Sequence, residues 1–240
     1  MKKILKNITR KYGYDIIRYR PDKMGRYPYY DMAKFIKIDK PMIFDIGANI
    51  GQTIENFRNV FPKAHINSFE PSPATFELLK NNVSKMENVK IWNYGIGANN
   101  GLMTLFENSH STMSSFLKLG ESGWGKVIRK TNIQVISIDQ FCIDQNIDKI
   151  DIIKSDTQGF ELEIFKGAEK MMKENKIGVL YFEVTFSEMY DDLPKLGDIY
   201  NFLNERGFSL ASIYPLAYQK SNLAGWTDLL FVNENFLNQK

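Results

Sequence analysis

Residues 43–53, IFDIGANIGQT, end an apolar run in an acid, Asp45, and then set glycines at 47 and 51 before polar residues that open a helix at Thr53. Gly47 and Gly51 allow the backbone to come close to a ligand, and the free N–H groups at the start of a helix over 53–61 favour an anionic group. The spacing is D-x-G-x-x-x-G, which is not the tighter G-x-G-x-x-G of dinucleotide sites. An acid at the strand end would repel a pyrophosphate. It suits a ligand with a positive amine or sulfonium beside its carboxylate, and S-adenosylmethionine is such a ligand. The next apolar run ends NSFEPSP, which puts Glu70 where an acid accepts both hydroxyls of a ribose, with Ser72 as the N-cap of the helix that follows. Each motif alone is common. Together, at the ends of adjacent strands, they imply a nucleoside.

These residues need strands to carry them. Strand-like runs occur at 42–46, 65–69, 89–94, 150–155 and 179–184, with later ones at 208–214 and 228–232. Helical stripes lie between them: Ile54, Phe57 and Phe61; Phe76, Leu79 and Val83 after Ser72 and Pro73; Leu162, Phe165, Ala168 and Met172; and Leu196, Ile199 and Leu203, stopping at Gly207. Strands that are apolar on both faces and alternate with helices belong to a parallel sheet covered on both sides, a doubly wound, Rossmann-like α/β fold. Two further short strands, 102–106 and 132–138, flank residues 107–131, a segment rich in Ser and Gly that is expected to be an irregular lid.

The composition fits one soluble domain: 240 residues, 43% hydrophobic, 25% charged. A net charge of +3 is too small to argue for a nucleic-acid partner. Residues 1–40 are expected to be a basic helical extension and 41–240 the catalytic domain. Seven of the first 20 residues are Lys or Arg, with Ile4, Leu5, Ile8, Ile16 and Ile17 among them. The amino end therefore reads as a solvated amphipathic cap, with weak peripheral contact to an anionic membrane as the second reading. The single cysteine, Cys142, excludes an intrachain disulfide and reads as a core residue. With no apolar run long enough for a membrane span and no signal-peptide pattern, a cytoplasmic location is expected.

The segments FDIGANIGQT, FEPSP, KSDTQGFELEIFKGA and YFEV, in this order and spacing, resemble the FkbM-type methyltransferases, which use S-adenosylmethionine to O-methylate sugars and natural-product hydroxyls. The resemblance spans roughly residues 40–233. It implies the seven-stranded class I methyltransferase sheet with a reversed last strand, here 228–232. It also implies that Asp45, Gly47, Asn49, Gly51 and Glu70 line the cofactor, with residues 93–97, including Gly95 and Ile96, near the adenine; Thr53 and Ser72, beside these, are expected cofactor contacts as well. The family's fourth-strand motif reads D-x-E-G-x-E, whereas this chain has Asp156-Thr157-Gln158-Gly159-Phe160-Glu161. Gln158 replaces a carboxylate and is given no catalytic weight.

Methyl transfer to an alcohol requires alignment, exclusion of water and a group that takes the hydroxyl proton. Asp156 and Glu183 close the fourth and fifth strands, so both are expected at the sheet's carboxyl edge. His110, in ENSHSTMSSF, falls in the lid with Ser111, Ser114 and Ser115. The reading adopted makes His110 the base and Asp156 the residue that orients the acceptor or the cofactor's methionyl end. Asp156 and Glu183 would alternatively suffice for Mg²⁺, the less favoured arrangement. Glu161 reads as a helix N-terminal acid, and His65 as structural. Trp124, Tyr190, Tyr214, Tyr218 and Trp226 are candidates to stack on a sugar. A hydroxyl-bearing small molecule or glycan is thus the expected acceptor. A nucleotide-dependent oxidoreductase and a noncatalytic cofactor-binding protein are the alternatives.

Overall fold

The computed structural model describes residues 2–14, 16 and 19–238. Ile17 and the side chains of Ile4 and Leu5, part of the basic amphipathic stretch, lie outside the described residues. The strands are β1 (Met42–Ile46), β2 (His65–Phe69), β3 (Val89–Trp92), β4 (Gly95–Ile96), β5 (Gly101–Asn108), β6 (Val127–Ile136), β7 (Ile150–Ser155), β8 (Ile177–Thr185), β9 (Phe208–Ile213), β10 (Ala217–Tyr218) and β11 (Ala224–Asn233). The helices are α1 (Lys2–Lys11), α2 (Pro28–Phe35), α3 (Gln52–Val60), α4 (Pro73–Val83), α5 (Ile138–Asp144), α6 (Glu161–Lys166), α7 (Glu169–Lys173), α8 (Leu196–Asn204) and α9 (Glu234–Leu237).

The main sheet runs β3-β2-β1-β7-β8-β11, parallel as far as β8, with β11 antiparallel to it and β9 and β10 pairing along the far side of β11. This is the expected class I methyltransferase sheet with its reversed last strand, to which β10 adds an eighth, two-residue strand. β1 sits at the centre because its residues are apolar on both faces. Phe44 points into a cluster with Phe69, Phe141, Phe165 and Phe182, while Ile43 points to the opposite cluster with Ile54, Phe57 and Ile66. Burying each such side chain contributes about 1.5–3 kcal/mol, and a one-residue slip of β1 would exchange the two faces. α3 starts where Gly51 turns left-handed, at φ +97°. α4 starts at Ser72, whose hydroxyl accepts the Thr75 N–H, with Pro73 next.

Several boundaries differ from the sequence expectation; the strand expected over 132–138, for one, ends at Ile136 because Ser137 caps α5. The strand expected over 89–94 stops at Trp92, because the Asn93 side-chain amide donates to the carbonyls of Glu70 and Pro71 and turns the chain away. Gly95 and Ile96 then join a separate sheet of order β4-β6-β5. The irregular segment expected over 107–131 shrinks to 109–126, since β5 and β6 form a long antiparallel arm. Solvent takes one side of that arm, so its strands tolerate Thr, Lys, Arg and Asn and do not read as apolar runs. In the extension expected over 1–40, α2 is already part of the domain: Met32 is fully buried in the second core cluster, and Tyr29 meets Phe57 edge to face.

Candidate active site

The cleft lies at the carboxyl ends of β1, β2 and β7, where an open parallel sheet leaves strand-end turns free to meet a ligand. Its floor is the turn from Gly47 into α3, including Asn49, Gln52 and Thr53, its sides are Glu70 and the stretch 156–158, and the arm covers it with Ser111, Ser115 and Phe116.

Asn49 takes the left-handed conformation, φ +48°. Its N–H donates to Glu70 Oε2 at 2.9 Å, and the Ser72 N–H donates to Glu70 Oε1 at 2.9 Å. One backbone donor per oxygen holds the carboxylate in place and leaves lone pairs for a further donor. Burial pushes Glu70 up to about 7, against the pull of those two N–H groups. Asp45 is wholly buried and does not itself line the cleft. Its Oδ1 accepts no hydrogen bond and lies 3.4 Å from Lys154 Nζ, so this acid's counter-charge is a lysine of the protein. Lys154, on the penultimate residue of β7, has only 7% of its side chain exposed, donates to the Gly47 carbonyl at 3.3 Å, and reaches Asp156 at 3.9 Å. Burial opposes its charge, but Asp45 and Asp156 outweigh that and hold its pKa above the usual lysine value.

Gln158 adopts φ +59°. Its amide nitrogen donates to Asp156 Oδ1 at 2.9 Å and to Glu183 Oε1 at 3.2 Å, and its oxygen accepts from Tyr190 Oη at 2.9 Å. The residue set aside at the sequence level therefore joins the two carboxylates. Burial, with Asp156, Glu161 and Asp228 adding negative charge, pushes Glu183 up to about 9. Glu161 heads α6 as expected, but it is buried and accepts from both the N–H and the hydroxyl of Thr157, at 2.8 and 2.9 Å.

Gly47, Asn49, Thr53, Glu70 and Asp156 thus meet at one cleft. Other expected residues stand elsewhere. Gly51 is outside the lining and faces α4, where a Cβ would lie 3.0 Å from Leu79, so this glycine serves the turn and helix packing. Even at Gly47 a Cβ would strike the Asp156 carbonyl oxygen, a contact between two strand-end turns. Ser72 is buried, capping α4 and donating to Glu107 Oε2 at 2.9 Å. Gly95 and Ile96 are buried in β4 outside the lining, with the Phe116 ring filling the space beside Gly95. His110 is exposed and does not line the cleft. Its N–H donates to Asn108 Oδ1 at 3.0 Å, which turns the chain just before Ser111 enters the wall. Of the aromatic candidates, Tyr190 and Tyr214 are buried, Tyr214 donating to Asp31 Oδ2 at 3.1 Å, and Trp124 packs on Trp226. Lys154 was missed, although a lysine inside the apolar run IDIIKS was an available signal; Ser111, Ser114 and Ser115, expected in the lid, all line the cleft.

A family model described as the methyltransferase FkbM domain matches residues 45–210. The 2-O-methyltransferase NoeI of Sinorhizobium fredii is 24% identical over 73% of this chain and 75% of its own length. The hexuronic acid methyltransferase AglP of Haloferax volcanii is 29% identical over 52% of this chain, which spans about half (49%) of that protein. Among solved structures, an rRNA methylase from Streptococcus thermophilus superposes with a TM-score of 0.49 at 12% identity, over 91% of this chain and 99% of that one. Because the domain match runs from Asp45 in β1 to the middle of β9, the chain belongs to the FkbM methyltransferase family, with S-adenosylmethionine as its methyl donor.

Proposed function

We propose that the enzyme methylates a hydroxyl of a sugar or glycan, and that Asp156 takes the hydroxyl proton. The observation that carries this reading is the disposition of two carboxylates along one cleft: Glu70 just past the end of β2 and Asp156 just past the end of β7, the latter tied through Gln158 to Glu183 of β8. The residues fit the cofactor. Glu70, with spare acceptor capacity on both oxygens, is suited to a ribose diol, and the Gly47–Thr53 turn with Lys154 beneath it is suited to the methionyl end. Bound there, S-adenosylmethionine supplies a methyl group already activated on a sulfonium. The protein's share is then alignment and removal of one proton. Asp156 is the carboxylate that reaches solvent, 47% exposed, with Lys154 Nζ 3.9 Å away. Gln158 fixes its orientation, and the arm excludes water. The names of NoeI and AglP, a 2-O-methyltransferase and a hexuronic acid methyltransferase, support an acceptor of carbohydrate type.

The Gln158 amide already hydrogen-bonds the Asp156 and Glu183 oxygens that a divalent cation would take, so the reaction is proposed to run without Mg²⁺. Turnover after chelator treatment should match that of untreated enzyme; full dependence on added Mg²⁺ would reverse this point. The acceptor is found by incubating the enzyme and labelled S-adenosylmethionine with fractionated host extract, followed by mass spectrometry of what gains a methyl group. With acceptor in hand, Asp156→Asn should lower kcat about 10²–10⁴-fold, and His110→Ala should stay near wild type. The opposite pattern would return the base to His110.

A further inference from the structure

The net charge of +3 is small only in sum. Residues 1–26 contain nine Lys or Arg against two Asp, leaving the remaining 214 residues net negative. α1 carries no acidic residue, and Lys6 and Lys11 lie exposed on it. Beside these cations stand side chains that a purely solvated face does not require: Ile8 is 49% exposed, Tyr12 77% and Tyr14 71%. Base and amphipathic aromatic interleaved on an exposed segment match the chemistry of a bilayer's headgroup layer, where tyrosines sit at the boundary and lysines reach outward to phosphate.

The end of the basic stretch and the helix after it are tied to the body. The Gly25 N–H donates to Asp31 Oδ2 at 2.8 Å, Tyr214 holds the same carboxylate, and Tyr29 packs its ring on Phe57 of α3, the helix whose first turn enters the cleft.

We propose that this N-terminal segment is an interfacial anchor that docks the enzyme on an anionic lipid bilayer, Lys6 and Lys11 meeting lipid phosphates while Ile8, Tyr12 and Tyr14 enter the headgroup boundary. Each basic residue near such a surface adds to the attraction, and the attraction is screened by salt. The anchor does not depend on which acceptor is methylated.

The test is co-sedimentation of the full chain with vesicles of phosphatidylcholine alone or containing about one-third phosphatidylglycerol, at low and high KCl. Stabilisation by S-adenosylhomocysteine, read on the same preparations, shows that each variant is folded. The wild type should bind only the phosphatidylglycerol vesicles, and less at high salt. Lys6→Glu/Lys11→Glu should lower the partition coefficient at least about tenfold, and Tyr12→Ser/Tyr14→Ser at least about threefold, both keeping the stabilisation. Failure of folded wild type to bind anionic vesicles would overturn the proposal and leave the methyltransferase assignment untouched. So would full binding by the lysine variant. Binding that ignores the tyrosine change and is displaced equally by heparin or an oligonucleotide would mean a general polyanion site, which also overturns it.

Discussion

Lys154 places a cation where only 7% of its side chain meets solvent, and it is the counter-charge of the fully buried Asp45 and a neighbour of Asp156. Removing one partner of such a pair leaves an uncompensated buried charge, at a cost of about 3–5 kcal/mol. Lys154→Met should therefore lower the midpoint of denaturant unfolding and, at conditions where it is folded, weaken S-adenosylhomocysteine binding; calorimetric titration reads the second effect. A variant with wild-type stability and affinity would remove Lys154 from the site. Glu161 makes a different prediction. Burial raises it to about 7 in the folded protein, above the usual glutamate value, so the fold holds a proton that the unfolded chain releases first. The stability this gives is complete at low pH and is lost as pH rises through the interval ending near 7. Glu161→Gln keeps an oxygen for the two Thr157 donors and has no charge to desolvate. Relative to wild type it should gain up to about 3 kcal/mol at about pH 8 and nothing near pH 4. Chemical denaturation at both pH values checks the sign. At this scale the site was half legible. Glu70 and Asp156 announced themselves by their place at strand ends, whereas Gln158 was discounted because its type was unexpected. Its value lies in donating to two carboxylates at once, which only three-dimensional placement reveals.

Among the elements, the arm formed by β5 and β6 is the one that builds the site from outside the sheet. Ser115 fastens it: the hydroxyl donates to the Gln158 carbonyl at 2.9 Å and also accepts the Leu117 N–H at 3.0 Å, and the residue pairs across with Phe106. Ser115→Ala should leave the two cores intact, shifting Tm by only a few degrees, yet hasten amide hydrogen exchange in residues 106–117 and raise the acceptor KM. Unchanged exchange there would show that the arm is held by packing alone. The parallel strands were readable because each is apolar on both faces; Ile43 and Phe44, or Ile152 and Ile153, serve opposite cores. The arm was not, because burial along β6 is confined largely to its last residues and the outward positions carry Arg129, Lys130 and Asn132. Polar alternation of that kind was read as loop.

For the whole molecule, the sheet order and the first-turn spacing together choose the ligand. S-adenosylhomocysteine should raise Tm measurably at saturating concentration, while NAD and NADP should not. Glu70→Ala should abolish that shift. Gly51→Val should unfold or destabilise the protein, because the added atoms run into Leu79 and Val83 and a β-branched residue is strained at φ +97°. Loss of ligand binding with full stability would restore Gly51 to the cofactor's side. The arm is also stitched to the loop after β8, through the Gly120 N–H to the Met189 carbonyl at 2.9 Å and the Asp191 N–H to the Lys118 carbonyl at 2.9 Å. Two indoles bracket that seam: Trp124 on the arm and Trp226 on β11, ring centroids 5.6 Å apart and tilted by 49°. At such a separation their electronic transitions couple, so the pair is a built-in optical gauge. Lifting the arm by even a few ångströms changes the near-ultraviolet dichroism and the emission of Trp124, so any displacement of the arm is readable without attaching a dye.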